Sequence, residues 1–207
     1  RGLVDESSAD VEVPTCPGWT VNGVIAHLAG FFTTFRSGDP REVFDQDWGD
    51  RVVAERKDHS LDENLKELGD IIDDADDVFG SQMAMVAVAD ALAHEQDIRT
   101  ALGKPGATDD ENIVAAVQMG LSFAGRKAEK AGLPALRIVT EDIDQQIGSG
   151  EPVATLRTST FELFRTIHGR RTPDQLRALD WTGDPGPWIP GLFLFGPADS
   201  VVEQSAV

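Results

Sequence analysis

Between Met83 and Ala93 the chain runs through eleven residues of which every one but Asp90 is apolar. A run of this length exceeds the usual strand of about three to ten residues, so it reads as a buried helix. His94-Glu95-Gln96-Asp97 then brings polar residues back, and Gly103 and Pro105 end the segment. A carboxylate in the middle of such a helix is costly to bury unless it is paired, hydrogen-bonded or bound to a cation. His94 stands four residues beyond Asp90, about one turn further on the same face. The two can share an ion, and they can equally share a hydrogen bond with no ion at all. The spacing alone leaves both readings open.

Three more helical patterns surround this one. Val21, Val24, Ile25, Leu28, Phe31, Phe32 and Phe35 recur at the three-and-four spacing of a helix, after Pro14 and a Pro17-Gly18 turn signal, with Thr20 as the N-cap. Ser60 and Glu63 form a capping box ahead of Leu61, Leu65, Leu68, Ile71 and Ile72, and the opposite face is acidic and solvated. Thr108 and Glu111 read as another capping box, opening a helix that turns Ile113, Val114, Val117 and Leu121 inward. After Gly132-Leu133-Pro134 the period changes. Leu136 to Thr140 and Val153 to Arg157 read as short strands, followed by helices around Phe161 to His168 and Pro173 to Leu179 and a Pro/Gly-rich tail from Gly183 to Pro197. The expected fold is therefore mainly α with α+β: a four-helix bundle over residues 1–131 and a small α+β domain over 132–207.

Composition excludes several function classes. With 36 acidic against 18 basic residues the formal charge is -18, and no segment gathers enough positive charge to neutralise a phosphate backbone, so nucleic acid is not an expected partner. No apolar run approaches the roughly 20 residues of a membrane-spanning helix, so the membrane is not an expected partner. One cysteine, Cys16, cannot make an internal disulfide, and no secretory signal is visible, so the expected location is cytoplasmic. Nothing in the sequence fixes an oligomeric state.

The chemistry concentrates on few residues. His27 lies beside Val24, Leu28 and Phe31 at the edge of an apolar stripe, and should face the core. With Asp90 and His94 it would supply three inward ligands of two types, the pattern of a zinc site that keeps an open position. Cys16 reads as a small buried residue, His59 as a surface group, and His168 as a cap or surface group near a helix end. Asp97 and Arg99 read as a structural charge pair or a substrate clamp. Trp19, Trp48, Trp181 and Trp188 read as core or contact residues.

Two segments carry a resemblance. Val13-Pro14-Thr15-Cys16-Pro17-Gly18-Trp19-Thr20-Val21 with Ile25-Ala26-His27-Leu28 closely resembles the N-terminal motif of the mycothiol-dependent maleylpyruvate isomerase family, in the DinB-like superfamily. Asp90 to Arg99 is similar to its second motif, with Asp90 standing where the isomerase pattern favours Glu. The resemblance implies a DinB-like metal-binding bundle followed by a small α+β domain, with His27, Asp90 and His94 on a divalent metal, zinc foremost. Ile167-His168-Gly169-Arg170-Arg171 is similar to a Gly-Arg segment of the family's second domain, which implies a catalytic role for Arg170.

The function so implied is thiol activation. The metal would accept a low-molecular-weight thiol, mycothiol by resemblance, whose thiolate attacks an electrophilic small molecule. The product would leave as an adduct, in a transferase, or rearrange and expel the thiol, in an isomerase. Two alternatives stand beside this: a non-catalytic metal- or small-ligand-binding protein on the same fold, and a metal-dependent hydrolase with water in the open position.

Overall fold

The computed structural model describes residues 2–37, 39, 41–45, 47–73 and 82–203. Among the described residues the chain divides into two compact units, Arg1–Gly106 and Ala107–Val207.

The first unit carries α1 (Val21–Ser37), α2 (Trp48–Glu55), α3 (Leu61–Asp73) and α4 (Gln82–Leu102). Thr20 caps α1 by accepting the Gly23 N–H at 3.2 Å. The Ser60/Glu63 box forms as the spacing requires: Glu63 Oε2 accepts the Ser60 N–H at 2.7 Å while Ser60 Oγ accepts the Glu63 N–H at 3.3 Å. These caps start each helix in the register that turns its apolar stripe inward. Val21, Val24, Ile25 and Leu28 of α1 meet Leu61 of α3 and Ile98 of α4 in one cluster. Phe31, Phe32, Trp48, Val52 and Ala87 form another. Each fully buried side chain of this kind contributes about 1.5–3 kcal/mol, enough to hold helices whose own propensity is modest.

The α2 helix has no counterpart in the sequence reading. Its eight residues present only Trp48 and Val52 as buried side chains, too few to stand out as a periodic stripe. It docks through a close contact with α1, where a Cβ on Gly30 would fall 2.8 Å from the Val52 Cβ.

The second unit opens with α5 (Glu111–Ala131). Its cap is Asp110, which accepts the Asn112 N–H at 2.8 Å, and not Thr108 as the capping-box spacing suggests. The helix starts later because 103–109 is irregular and includes Ala107 at a positive φ of 53°. Although the sequence reading groups α5 with the bundle inside residues 1–131, it packs on α6 and β2 and falls in the second unit.

Four strands, β1 (Leu136–Val139), β2 (Asp144–Ile147), β3 (Ala154–Arg157) and β4 (Asp180–Gly183), form one sheet in the order β2-β1-β3-β4. β1 is antiparallel to β2 and parallel to β3, which is antiparallel to β4. Leu136, Ile138, Ala154 and Leu156 alternate onto the buried face. The two outer strands are polar along most of their length, so they carry no apolar alternation to announce them. Between β3 and β4 lie α6 (Thr160–Ile167) and α7 (Pro173–Arg177), both where the sequence places them. Among the described residues no helix is long and apolar enough to cross a membrane.

Candidate metal centre

The centre is built within the first unit by three segments. The stretch before α1 folds back on itself because Cys16-Pro17-Gly18-Trp19 closes a turn, with the Trp19 N–H on the Cys16 carbonyl at 3.0 Å and Gly18 at φ 88°. Proline then glycine at its two central positions is the signature of a type II turn, which needs a residue free to adopt positive φ. The turn brings both the Cys16 thiol and the Trp19 indole inward. Helix α1 supplies His27, and α4 supplies Asp90, His94 and Asp97 at spacings of four and three, on one face.

His27 and His94 are both buried, at 7% exposure each. Asp90 is not buried as the apolar run around it suggests: its side chain keeps 27% of its surface, because it lies at the mouth of the cluster. One of its oxygens is 3.2 Å from His27 Nε2 and the other 3.6 Å from His94 Nε2. Apolar rings enclose the imidazoles. The Trp19 ring lies 4.9 Å from that of His27 and 6.1 Å from that of His94, and Trp48 of α2 meets His27 edge-on at 5.4 Å. Trp19 is anchored through its indole N–H to Asp50 at 2.9 Å. Sequence reasoning missed the role of Trp48, because α2 itself was not legible.

The donor set fits a transition-metal ion of the zinc kind. Ligand atoms of His27, Asp90 and His94 lie within 4.8 Å of one another. Two ligands of a tetrahedral zinc, each about 2.0–2.2 Å from it, stand roughly 3.3–3.6 Å apart, and the nitrogen–oxygen separations of 3.2 and 3.6 Å lie at the edges of that range. Two imidazoles and one carboxylate suit zinc, whereas calcium and magnesium favour oxygen shells. Without an ion, burial disfavours a charged His94, but the Asp90 charge and hydrogen bonding to Asp97 and Cys16 outweigh it and raise the imidazole to about 10. Without an ion, these neighbours favour the cationic ring.

The other candidates resolve individually. Cys16 is buried, as expected. Asp97 and Arg99 do not pair: Arg99 bonds Glu95 at 2.7 Å and Asp97 faces His94 at 3.0 Å, since residues two apart point to different sides of a helix. His59 is exposed, with Nδ1 3.2 Å from the Asn64 amide oxygen. His168 caps α6 but is buried, with Nδ1 2.9 Å from the Phe164 carbonyl oxygen. In the second unit Arg170 is half-buried and donates to the His168 carbonyl at 2.6 Å. Its neighbour Arg171 is wholly inside, held by Glu162 at 2.6 Å and Glu203 at 2.7 Å.

Residues 1–82 match the sequence profile of the mycothiol maleylpyruvate isomerase N-terminal domain. The match spans the first 82 of the chain's 207 residues. The isomerase-type domain as matched contains His27, while Asp90 and His94 lie beyond residue 82 and are tied to it by geometry. None of the curated proteins compared by sequence matches the chain significantly. Two solved structures are similar to it. A crystal structure of the mycothiol-dependent maleylpyruvate isomerase is 16% identical over 82% of this chain and 81% of that one, with a TM-score of 0.47. A histidine-to-alanine mutant of the mycothiol-dependent maleylpyruvate isomerase is 14% identical over 81% of each chain, with a TM-score of 0.50. At 14% identity and a TM-score of 0.50, the second likeness speaks for the fold alone, a mixed α+β chain with a helical N-terminal domain.

Proposed function

We propose that this protein is a metal-dependent enzyme that uses a low-molecular-weight thiol, mycothiol by family, to attack an electrophilic small molecule. The observation that carries the reading is the convergence of His27, Asp90 and His94 from α1 and α4, in a chain whose first 82 residues match the mycothiol maleylpyruvate isomerase N-terminal domain. When bound, the ion supplies a positive charge that favours the thiolate over the thiol at neutral pH.

The residues of the chain do the rest. His27 and His94 offer neutral nitrogen donors from a buried wall, and Asp90, reachable by solvent, brings the compensating negative charge to the side where an exogenous thiol enters. Trp19 and Trp48 keep the imidazoles in an apolar setting, which strengthens every charge interaction at the centre. The thiol loses its proton to solvent, and the thiolate sulfur forms a bond to the electrophilic carbon, whose displaced electron pair ends on an acceptor oxygen of the substrate. By the resemblance of its Gly-Arg segment to the family's second domain, Arg170 is assigned the stabilisation of negative charge on the substrate, for which a guanidinium offers two parallel donors. The adduct then leaves, or rearranges and expels the thiolate.

Mass spectrometry of zinc-loaded protein incubated with mycothiol and a panel of electrophiles tests this. Metal-dependent adducts or rearranged products are expected. Turnover of an ester or amide without thiol would assign a hydrolase, and tight binding without turnover would assign a binding protein.

A further inference from the structure

The polar groups at the centre extend behind the three metal donors. Asp97 is wholly buried, and its Oδ2 lies 3.0 Å from His94 Nδ1, the nitrogen turned away from Asp90. The same oxygen accepts the Cys16 thiol at 3.4 Å, and Cys16 Sγ is itself 3.6 Å from Nδ1. His27 makes the contrast. Its Nδ1 is buried and has no hydrogen-bond partner among the described residues.

An ionised carboxylate can only accept hydrogen bonds, so an imidazole that faces one through Nδ1 carries its proton there. Its Nε2 then keeps a lone pair, the form a metal ligand requires, and the ring is fixed in direction as well as in tautomer. We infer that Asp97 is a positioning residue of the metal centre: it holds His94 with Nδ1–H inward and Nε2 toward the ion, and the Cys16 thiol fixes Asp97 in turn. This rests on the reading of His27, Asp90 and His94 as ligands.

The competing use of the same groups is as a metal site of their own, since ligand atoms of Cys16, His94 and Asp97 also lie within 4.8 Å of one another. Solvent access separates the two: Asp90 keeps 27% of its side-chain surface, whereas Asp97 is wholly enclosed with its Oδ2 at hydrogen-bond length, 3.0 Å, from Nδ1. All three groups are buried, so this side offers no open position for an incoming molecule. Cys16 is therefore a hydrogen-bond donor, and its thiol is neither ligand nor nucleophile.

Cobalt titration of the tag-free full chain, followed by visible absorption, together with zinc affinity by chelator competition, tests the assignment. One cobalt per chain without sulfur-to-metal charge-transfer absorption is expected for the wild type. Asp97→Asn should fold and bind zinc about 10–100-fold more weakly, the usual effect of losing a partner behind a ligating histidine. Cys16→Ser, which keeps a donor to Asp97, should bind close to wild type, and Cys16→Ala more weakly than Cys16→Ser. Nitrogen-15 spectra of the zinc-loaded wild type should place the His94 proton on Nδ1, a readout that needs no variant to fold. Undiminished affinity in Asp97→Asn, a proton on Nε2, or a sulfur-to-cobalt band lost in Cys16→Ser would each overturn the inference while leaving the three ligands standing. A wild type that binds no metal would overturn the ligand reading and this inference with it.

Discussion

His27 and Asp90 stand 63 positions apart in the chain, yet His27 Nε2 and Asp90 Oδ2 come within 3.2 Å. The contact joins α1 to α4, each of which packs in the core through its apolar side chains. Packing of the two helices places the pair.

The first expectation is one zinc-like ion per chain, held by His27, Asp90 and His94. Elemental analysis of tag-free protein should find it, or find its uptake on zinc addition. His27→Ala and His94→Ala should each abolish binding with the helical content intact, since the fold's stability lies in its apolar faces. Asp90→Asn should weaken binding more mildly, because the amide oxygen remains a ligand of lower charge. Full occupancy in the histidine variants would show that the ion sits elsewhere.

The second concerns pH. His94 is raised from its ordinary 6.5 to about 10 in the metal-free chain, burial opposing and the Asp90 charge and the Asp97 hydrogen bond favouring the cation. A group raised in the folded state stabilises fully below its unfolded pKa, and that contribution fades as pH climbs from about 6.5 toward about 10. Metal binding requires the opposite state, with the Nε2 proton gone, so affinity rises over the same window. Thermal melts across that range should show the metal-free Tm falling relative to the zinc-loaded Tm. A constant gap between the two forms would contradict the cationic ring.

Arg170 and Arg171 should separate cleanly although they are neighbours. Arg171 is buried between Glu162 and Glu203, and removing this cation takes charge compensation from two buried carboxylates, at a cost of about 3–5 kcal/mol. Arg171→Ala should therefore lower the Tm sharply. Arg170→Ala should keep metal, thiol binding and fold, and reduce turnover by about ten-fold or more, the scale of one lost charge-assisted contact of roughly 1.5–3 kcal/mol. An unchanged rate would leave Arg170 as the cap of its own helix end, bonded to the His168 carbonyl.

Gly30 tests the seat of α2. A Cβ there would meet Val52 Cβ at 2.8 Å, so Gly30→Ala must push α2 off α1 and shift Trp48 on His27. Destabilisation of about 1–3 kcal/mol is expected from such overpacking, with a weakened metal site. Denaturant melts and zinc affinity measured on the same variant would check both effects.

By itself the sequence determined which helices form where apolar period and cap coincide, as at Thr20, Ser60 and the Met83–Ala93 run, and which polar residues are turned inward with them. His27 and Asp90 stood out as candidates because each breaks an apolar pattern, and His94 by its spacing of four from Asp90, although Asp90 itself keeps 27% of its side-chain surface. Only the tertiary structure decided what their partners are. No local period reports that Asp97 faces His94 and not Arg99, that a Pro17-Gly18 turn carries the Cys16 thiol to the same oxygen, or that an eight-residue helix lays Trp48 on His27. These are contacts between segments distant in sequence, and they are set by packing, which side-chain spacing along one helix does not encode.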